Sequence, residues 1–459
     1  MHKDSAENLA AFRVVIGVLL FGCADLWHGV AVAQLPPSLR TSSSWFGNQL
    51  LAWPISPHLV MALAYLAAAM GVLVAIGLWT RLALVVGTLS ALYVLGISQL
   101  AGSVWHSHHL LWFLALLTVS PCADSWSLDS LLRKRSNQTQ YNRDPLCYGL
   151  PIRLAWILLA AILFFPGLWK LRGGGLAWIV SDNLRNQLHW KWVQNGGVLP
   201  WLRIDRYPVL CKLLAASVVC FELGFPLLLL NKRLRIMAVG LALLFHLGTW
   251  HLMQISFTIL WPCYAVLFKW KGVWEWLRRT RQRSAPHTES AHPKDDPSQP
   301  PKHPLSKDRS TLLPTITMGF LLILGVGLSG WRGWTQSYPF ACYPTFQHLA
   351  GEAMPALLLT VEDRNGRTQE LPRPWTIPEV HSSRAVALMW SVLRQKSPQA
   401  LAAYLTTLRQ NPVVAEVVRT SCPGRVHFDR VLLPVKPELW HSPPTQRQRL
   451  VTLPLPCPP

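Results

Sequence analysis

Charge is scarce in this sequence: 14% of its 459 residues are Asp, Glu, Lys or Arg, against 51% hydrophobic. That balance is too apolar for an ordinary soluble enzyme. The nine cysteines form no C-x-x-C pair, so neither a zinc ribbon nor a thioredoxin-like redox pair is supported. Gly173-Gly174-Gly175 lacks the Lys-Ser/Thr ending of a phosphate-binding loop and reads as a place where the chain turns. The run His106-Ser107-His108-His109 has no second histidine box elsewhere, which argues against a distributed di-iron site, and no metal is expected. Negative charge is the scarcer sign, 22 Asp and Glu against 43 Lys and Arg. The basic residues fall between apolar runs rather than along a polar face. That placement suits anionic lipid headgroups and argues against nucleic acid as a partner.

What the chain has instead is long apolar runs and 23 tryptophans. A membrane span needs about 20 mostly apolar residues. About nine such runs are expected, near 8–33, 57–79, 82–102, 107–121, 151–170, 208–230, 235–253, 255–270 and 312–333. The first is longer than a signal-peptide core and is expected to be retained. The fold class is therefore an all-α polytopic membrane bundle followed by a small α+β extracytoplasmic domain. Expected boundaries are a membrane domain over 1–283, a disordered cytoplasmic linker over 284–311, a last span over 312–333 and the water-facing domain over 334–459. Residues 172–206, with four tryptophans among polar residues, read as an interfacial excursion. Basic residues beside short loops put the N-terminus in the cytoplasm, of a bacterial inner membrane by expectation, and the tail outside. In the tail, Asp363-Arg364-Asn365-Gly366 marks a hairpin turn, a helix is expected over 383–409 and a strand over 425–435. Cys342 and Cys422 flank that domain and are expected to pair in an oxidising compartment.

Ionisable groups inside spans are costly to bury and are functional candidates for that reason. Asp25 and His28 lie one helical turn apart near the outer end of the first span, and His106, His108 and His109 start the fourth. Lys170 ends the fifth, while His246 and His251 occupy the outer half of the seventh. Separate helices thus deliver a carboxylate, imidazoles and an amine to one membrane depth. Each has a structural alternative: Lys170 as a snorkelling anchor, the histidines as satisfied interfacial residues. Glu222, nearer mid-membrane, is open to either a structural or a functional reading.

With these residues in view, the chain resembles the vitamin K-dependent γ-glutamyl carboxylase family and its bacterial relatives, the horizontally transferred transmembrane (HTTM) domain proteins. The segment from His106 to Trp126-Ser127-Leu128-Asp129 is similar to one that runs from a functional His to Trp-Ser-Val-Asp in that family. Phe164-Phe165-Pro166-Gly167-Leu168-Trp169-Lys170-Leu171 resembles the segment of the family's catalytic Lys, and Phe245-His246 with Gln254-Ile255-Ser256-Phe257 the segment of its active-site His. Gly366-Arg367 and His427-Phe428-Asp429 recur in similar order beyond the membrane. The family's Asn-Asn-His stands here as His-Ser-His-His, so His106 or His108 is the equivalent, with gapless spacing to Trp126 favouring His106. The chain also ends much earlier than the animal carboxylase.

The resemblance implies a carboxylase in which Lys170 deprotonates reduced vitamin K or a related hydroquinone. Oxygen then adds, a γ-proton leaves Glu of a peptide or protein substrate, carbon dioxide is captured and the quinone departs as epoxide. It assigns His246 to the oxyanion and His106 to orientation, with His108, His109, His251, Asp25 and His28 in support. A lipid bilayer is the expected surround, and the hydroquinone is expected to arrive from it. Two other functions fit the same residues: a non-catalytic maturation or export factor for a secreted peptide, and a metal-dependent membrane oxidoreductase at the histidine run.

Overall fold

Apolar runs in lipid must satisfy their backbone groups internally, so they fold as helices. The computed structural model describes residues 5–42, 44–101, 106–136, 143–283, 308–341, 346–371, 382–395 and 397–455. Most of the expected disordered linker therefore lies outside the described residues. The membrane part contains α1 (Ala6–Phe21), α2 (Ala24–Gln34), α3 (Trp45–Leu51), α4 (Pro57–Ile76), α5 (Thr80–Ser98), α6 (His109–Val119) and α7 (Leu128–Arg135). It continues through α8 (Pro145–Gly174), α9 (Ala177–Val180), α10 (Asn183–Gln194), α11 (Pro208–Leu228), α12 (Lys232–Met253), α13 (Trp270–Arg283) and α14 (Leu312–Arg332).

Seven segments among the described residues are long and apolar enough to cross a membrane, rather than the nine expected. The run at 107–121 yields α6, only 11 residues long, which ends before Pro121. The run at 255–270 is a 3-10 segment, Trp261–Leu267, with proline in its first turn. Both are packed inside protein: Leu110 to Leu114, Cys263 and Tyr264 are buried. Short or irregular backbone is tolerated at membrane depth where protein rather than lipid surrounds it. The first span is broken at Gly22 and Cys23, which makes α2 a separate helix with Asp25 in its first turn. Helices α1 and α4 come close because a methyl group on Gly17 would lie 2.5 Å from the Ala75 nitrogen; any larger residue there would force the pair apart.

The two ends of the bundle are built differently. At the end where α1 begins, the buried Arg13 guanidinium donates to the carbonyls of Ala75, Cys122 and Trp126. Ser127 caps α7, while the Asp129 carboxylate accepts the Trp79 and Thr80 amides at 2.9 Å and so caps α5. Arg143 bridges Asp124 and Asp308, tying the start of α8 to that of α14.

At the other end sits the C-terminal unit: β1 (Ala353–Glu362), β2 (Thr368–Glu370), α15 (Ser382–Gln395), α16 (Pro398–Leu408), α17 (Pro412–Ser421), β3 (Gly424–Pro434) and β4 (Gln446–Leu455). The sheet is antiparallel in the order β2-β1-β3-β4. Its turn follows the expected hairpin, but the helix expected over 383–409 is two helices, because Pro398 lies in the first turn of α16 and Ser397 caps it. The lead-in strap, described over 338–341 and 346–351, is pinned to the bundle through backbone carbonyls: Trp112 Nε1 to Pro339, Asn186 to Ala350 and Trp190 Nε1 to Gly351. Within the sheet, fully buried Asp429 is paired with Arg447 and Arg449, and His427 with Glu362. Cys422 is disulfide-bonded, the six other described cysteines are free, and Cys342 and Cys457 lie outside the described residues.

Candidate functional site

Lys170 lies in the last turns of α8, and its Nζ stands 2.7 Å from both carboxylate oxygens of Glu222 on α11. Both side chains are buried. The geometry depends on Gly167, one turn before Lys170: a methyl group there would lie 2.8 Å from the Glu222 Cβ. A small residue at that position lets α8 and α11 approach until a lysine on one can reach a carboxylate on the other. The Lys170 ammonium also lies 5.5 Å from the centre of the Trp178 ring, whose Nε1 donates to the Phe346 carbonyl at 2.7 Å.

His246 is buried in an aromatic box. Its Nε2 is 2.8 Å from the Tyr264 hydroxyl, and its ring centre lies 4.8 Å from that of Phe257 and 6.1 Å from that of Trp261. The Nδ1 atom is buried with no partner among the described residues. A buried imidazole nitrogen in that state is costly unless something else hydrogen-bonds to it.

Beside Phe257 and Phe346 lies a cavity of about 360 Å³, at the small end of the ligand cavities seen in proteins. Asp25, His28, Ser107, His109, Lys191 and the 253–260 segment contribute to its wall. Asp25 accepts from Ser107 and is 2.8 Å from His28 Nδ1, so one carboxylate orients an imidazole and a hydroxyl at the cavity edge. Phe257 and Phe346 also line it. Neither Lys170 nor His246 lines it: Lys170 is connected to it through Trp178, which donates to Phe346, and His246 through its ring contact with Phe257.

The remaining expected residues divide. His108 Nε2 is 2.7 Å from the Ala341 carbonyl and its ring packs against Trp112, so it anchors the strap. His109 reaches the cavity. His106 opens a 3-10 turn, and its side chain lies outside the described residues. His251 packs on Trp201, away from the cavity lining. Among the described residues, no group of three or more His, Cys, Asp or Glu side chains is placed to hold a metal ion.

Sequence reasoning missed Lys191 and Tyr264. Lys191 on α10 donates to Gln194 at 3.0 Å and faces Phe346. Burial pushes its ammonium down from the ordinary lysine range to about 8. The available clue was Trp190-Lys191-Trp192, a lysine between two large aromatics in a segment already assigned to the interface. Because the unfolded chain holds its proton to higher pH, stability should rise with pH from about 8 up to the ordinary lysine range. Acylation of Lys191, followed by mass spectrometry, should half-titrate near pH 8. A midpoint in the ordinary lysine range would remove Lys191 from the set of neutral amines at this site.

A family model for the HTTM domain matches residues 2–270. The match takes in Lys170, Glu222, His246 and all of the cavity wall except Phe346. No curated protein matches the chain, and no solved structure does.

Proposed function

The chain belongs to the HTTM domain family, and on that premise we propose that it is a carboxylase-like membrane enzyme. It couples oxidation of a reduced lipid-soluble quinone, of the vitamin K kind, to carboxylation of Glu in a peptide or protein. The observation that carries this reading is a cavity of mixed polar and apolar lining whose wall holds the Asp25–His28 pair, with His246 against Phe257 of that wall and the Lys170–Glu222 pair further back, behind Trp178.

The apolar wall, Ile255, Phe257, Ile259, Leu260 and Phe346, would hold the quinone head group. A reduced quinone supplies, with oxygen, the driving force for removing the Glu γ-proton before carbon dioxide is captured. Lys170 handles the first proton. Its amine is held by both carboxylate oxygens of Glu222, so to act as a base it must pass a proton to Glu222 or onward. With Tyr264 donating to Nε2, His246 presents Nδ1–H to a developing oxyanion, while Phe257 and Trp261 keep water away from it. Asp25 fixes the ring of His28 at the edge where a peptide would arrive.

In this reading the seven long helices, the buried α6 and the 3-10 segment make nine traverses. The N-terminus is then cytoplasmic, and the sheet lies outside, in a compartment that sustains the Cys422 disulfide. A second reading has its own support: Lys170 is fully engaged by Glu222, and His108 by the strap, as a structural role would require. That is the non-catalytic maturation or export factor.

Purified full-length protein in nanodiscs, given reduced vitamin K, labelled carbon dioxide and a Glu peptide, separates the two. The enzyme should yield quinone epoxide and labelled peptide. Epoxide without label would leave the acceptor wrong and the oxidation right. Neither product from folded protein would establish the non-catalytic reading.

A further inference from the structure

Two lysines belong to the neighbourhood of the cavity, and their surroundings differ. Lys170 stands back from it, held by both carboxylate oxygens of Glu222. Lys191 on α10 is partly buried in the cavity wall itself, and among the described residues no Asp or Glu side chain pairs with it. Its Nζ donates to the Gln194 side chain at 3.0 Å and lies 5.8 Å from the centre of the Phe346 ring, another part of the wall. A neutral acceptor and an aromatic face offset only part of what an ammonium loses on leaving water. Burial, with no carboxylate to oppose it, therefore holds this amine down to about 8. A desolvated lysine of that kind is a nucleophile whenever its proton is off.

The lining suits one kind of electrophile. Ile255, Phe257, Ile259 and Leu260 give an apolar side that a small uncharged molecule can cross, while His28, Ser107 and Asn195 on the same wall give polar groups for an anion formed inside. Carbon dioxide meets both conditions, because it arrives neutral and becomes an anion on addition to an amine. The nitrogen lone pair attacks the carbon, an N–C bond forms, one C–O π pair moves onto oxygen, and one N–H proton leaves to solvent. No oxidant or reductant is consumed. The N–H that remains keeps the bond to Gln194.

We propose that Lys191 is a carbon dioxide site, at which the gas adds reversibly to the amine as a carbamate and is held in the cavity. That carbon dioxide is the ligand rests on the carboxylase reading, in which it is a substrate; reversal of the addition returns it to the cavity. Lys170 is unsuited to the same chemistry, since its amine is engaged by a buried carboxylate.

Full-length protein in nanodiscs, equilibrated with carbon-13 bicarbonate near pH 8 and then treated with a trialkyloxonium salt, would have its carbamates fixed as esters for mass spectrometry. Lys191 should carry at least about tenfold more label than the exposed Lys232 and Lys271, because its neutral fraction at that pH is roughly a hundredfold that of an ordinary lysine. Lys170 should carry none. An unlabelled Lys191 in protein that melts normally, or label there no greater than at Lys232 and Lys271, overturns the proposal. The trap needs neither hydroquinone nor peptide, so the two readings fail separately. Label without peptide carboxylation supports the site and removes the carboxylase reading, whereas carboxylation without label does the reverse. In protein that turns over, Lys191→Met should raise the KM for carbon dioxide by about tenfold with kcat little changed, the pattern of a lost binding group. An unchanged KM in that folded variant overturns the role assigned to the amine.

Discussion

Lys170→Ala is expected to lower stability by about 3–5 kcal/mol, the usual cost of leaving one partner of a buried ion pair without the other. The change strands the Glu222 carboxylate, which is buried and hydrogen-bonded to Lys170 through both oxygens. Lys170→Met combined with Glu222→Leu removes both charges and refills the space with apolar atoms of similar size. That double variant should recover most of the loss, and recovery by the second substitution is the signature of a pair rather than of two independent sites. Thermal or denaturant unfolding in nanodiscs provides the measurement. If Lys170→Ala proves as stable as wild type, the two side chains do not form the buried pair described above, and the proton transfer to Glu222 loses its basis.

His246→Ala should leave the fold in place and lower hydroquinone turnover by a factor of about 10² to 10³, the range for loss of one oxyanion donor. Tyr264→Phe removes the hydroxyl that sets the His246 tautomer and should lower turnover less, because the imidazole itself remains. The comparison matters more than either value. Equal activity in wild type and His246→Ala would mean that the free Nδ1 is a packing residue's unsatisfied atom and nothing more.

The sequence pattern was most informative where a single physical rule governs. Twenty-residue apolar runs gave long helices, and the Asp363-Arg364-Asn365-Gly366 turn gave its hairpin. It was less so where tertiary packing decides. The runs at 107–121 and 255–270 are rich in apolar residues, but proline and packing against protein make them a short helix and a 3-10 segment. Strand β4 has four exposed residues at its start and lies at the sheet edge, so it carries little of the apolar alternation by which strands are recognised. Among the candidate residues, the contact of Asp25 with His28 was readable from their spacing of one turn. The Lys170–Glu222 pair joins positions 52 residues apart in sequence and depends on the close approach at Gly167. Lys191 carried a clue in its flanking tryptophans, but its place in the cavity wall depends on how α10 packs against α11 and α12, which no local pattern encodes.

The central claim is that Lys170 moves a proton rather than anchoring a helix end. Lys170→Arg tests it most directly, because arginine keeps the charge and the long stem but stays protonated at ordinary pH. Turnover of reduced vitamin K by the folded, inserted variant is the measurement. The account predicts that turnover is abolished and that a small exogenous amine restores part of it; near-wild-type turnover in Lys170→Arg would contradict it.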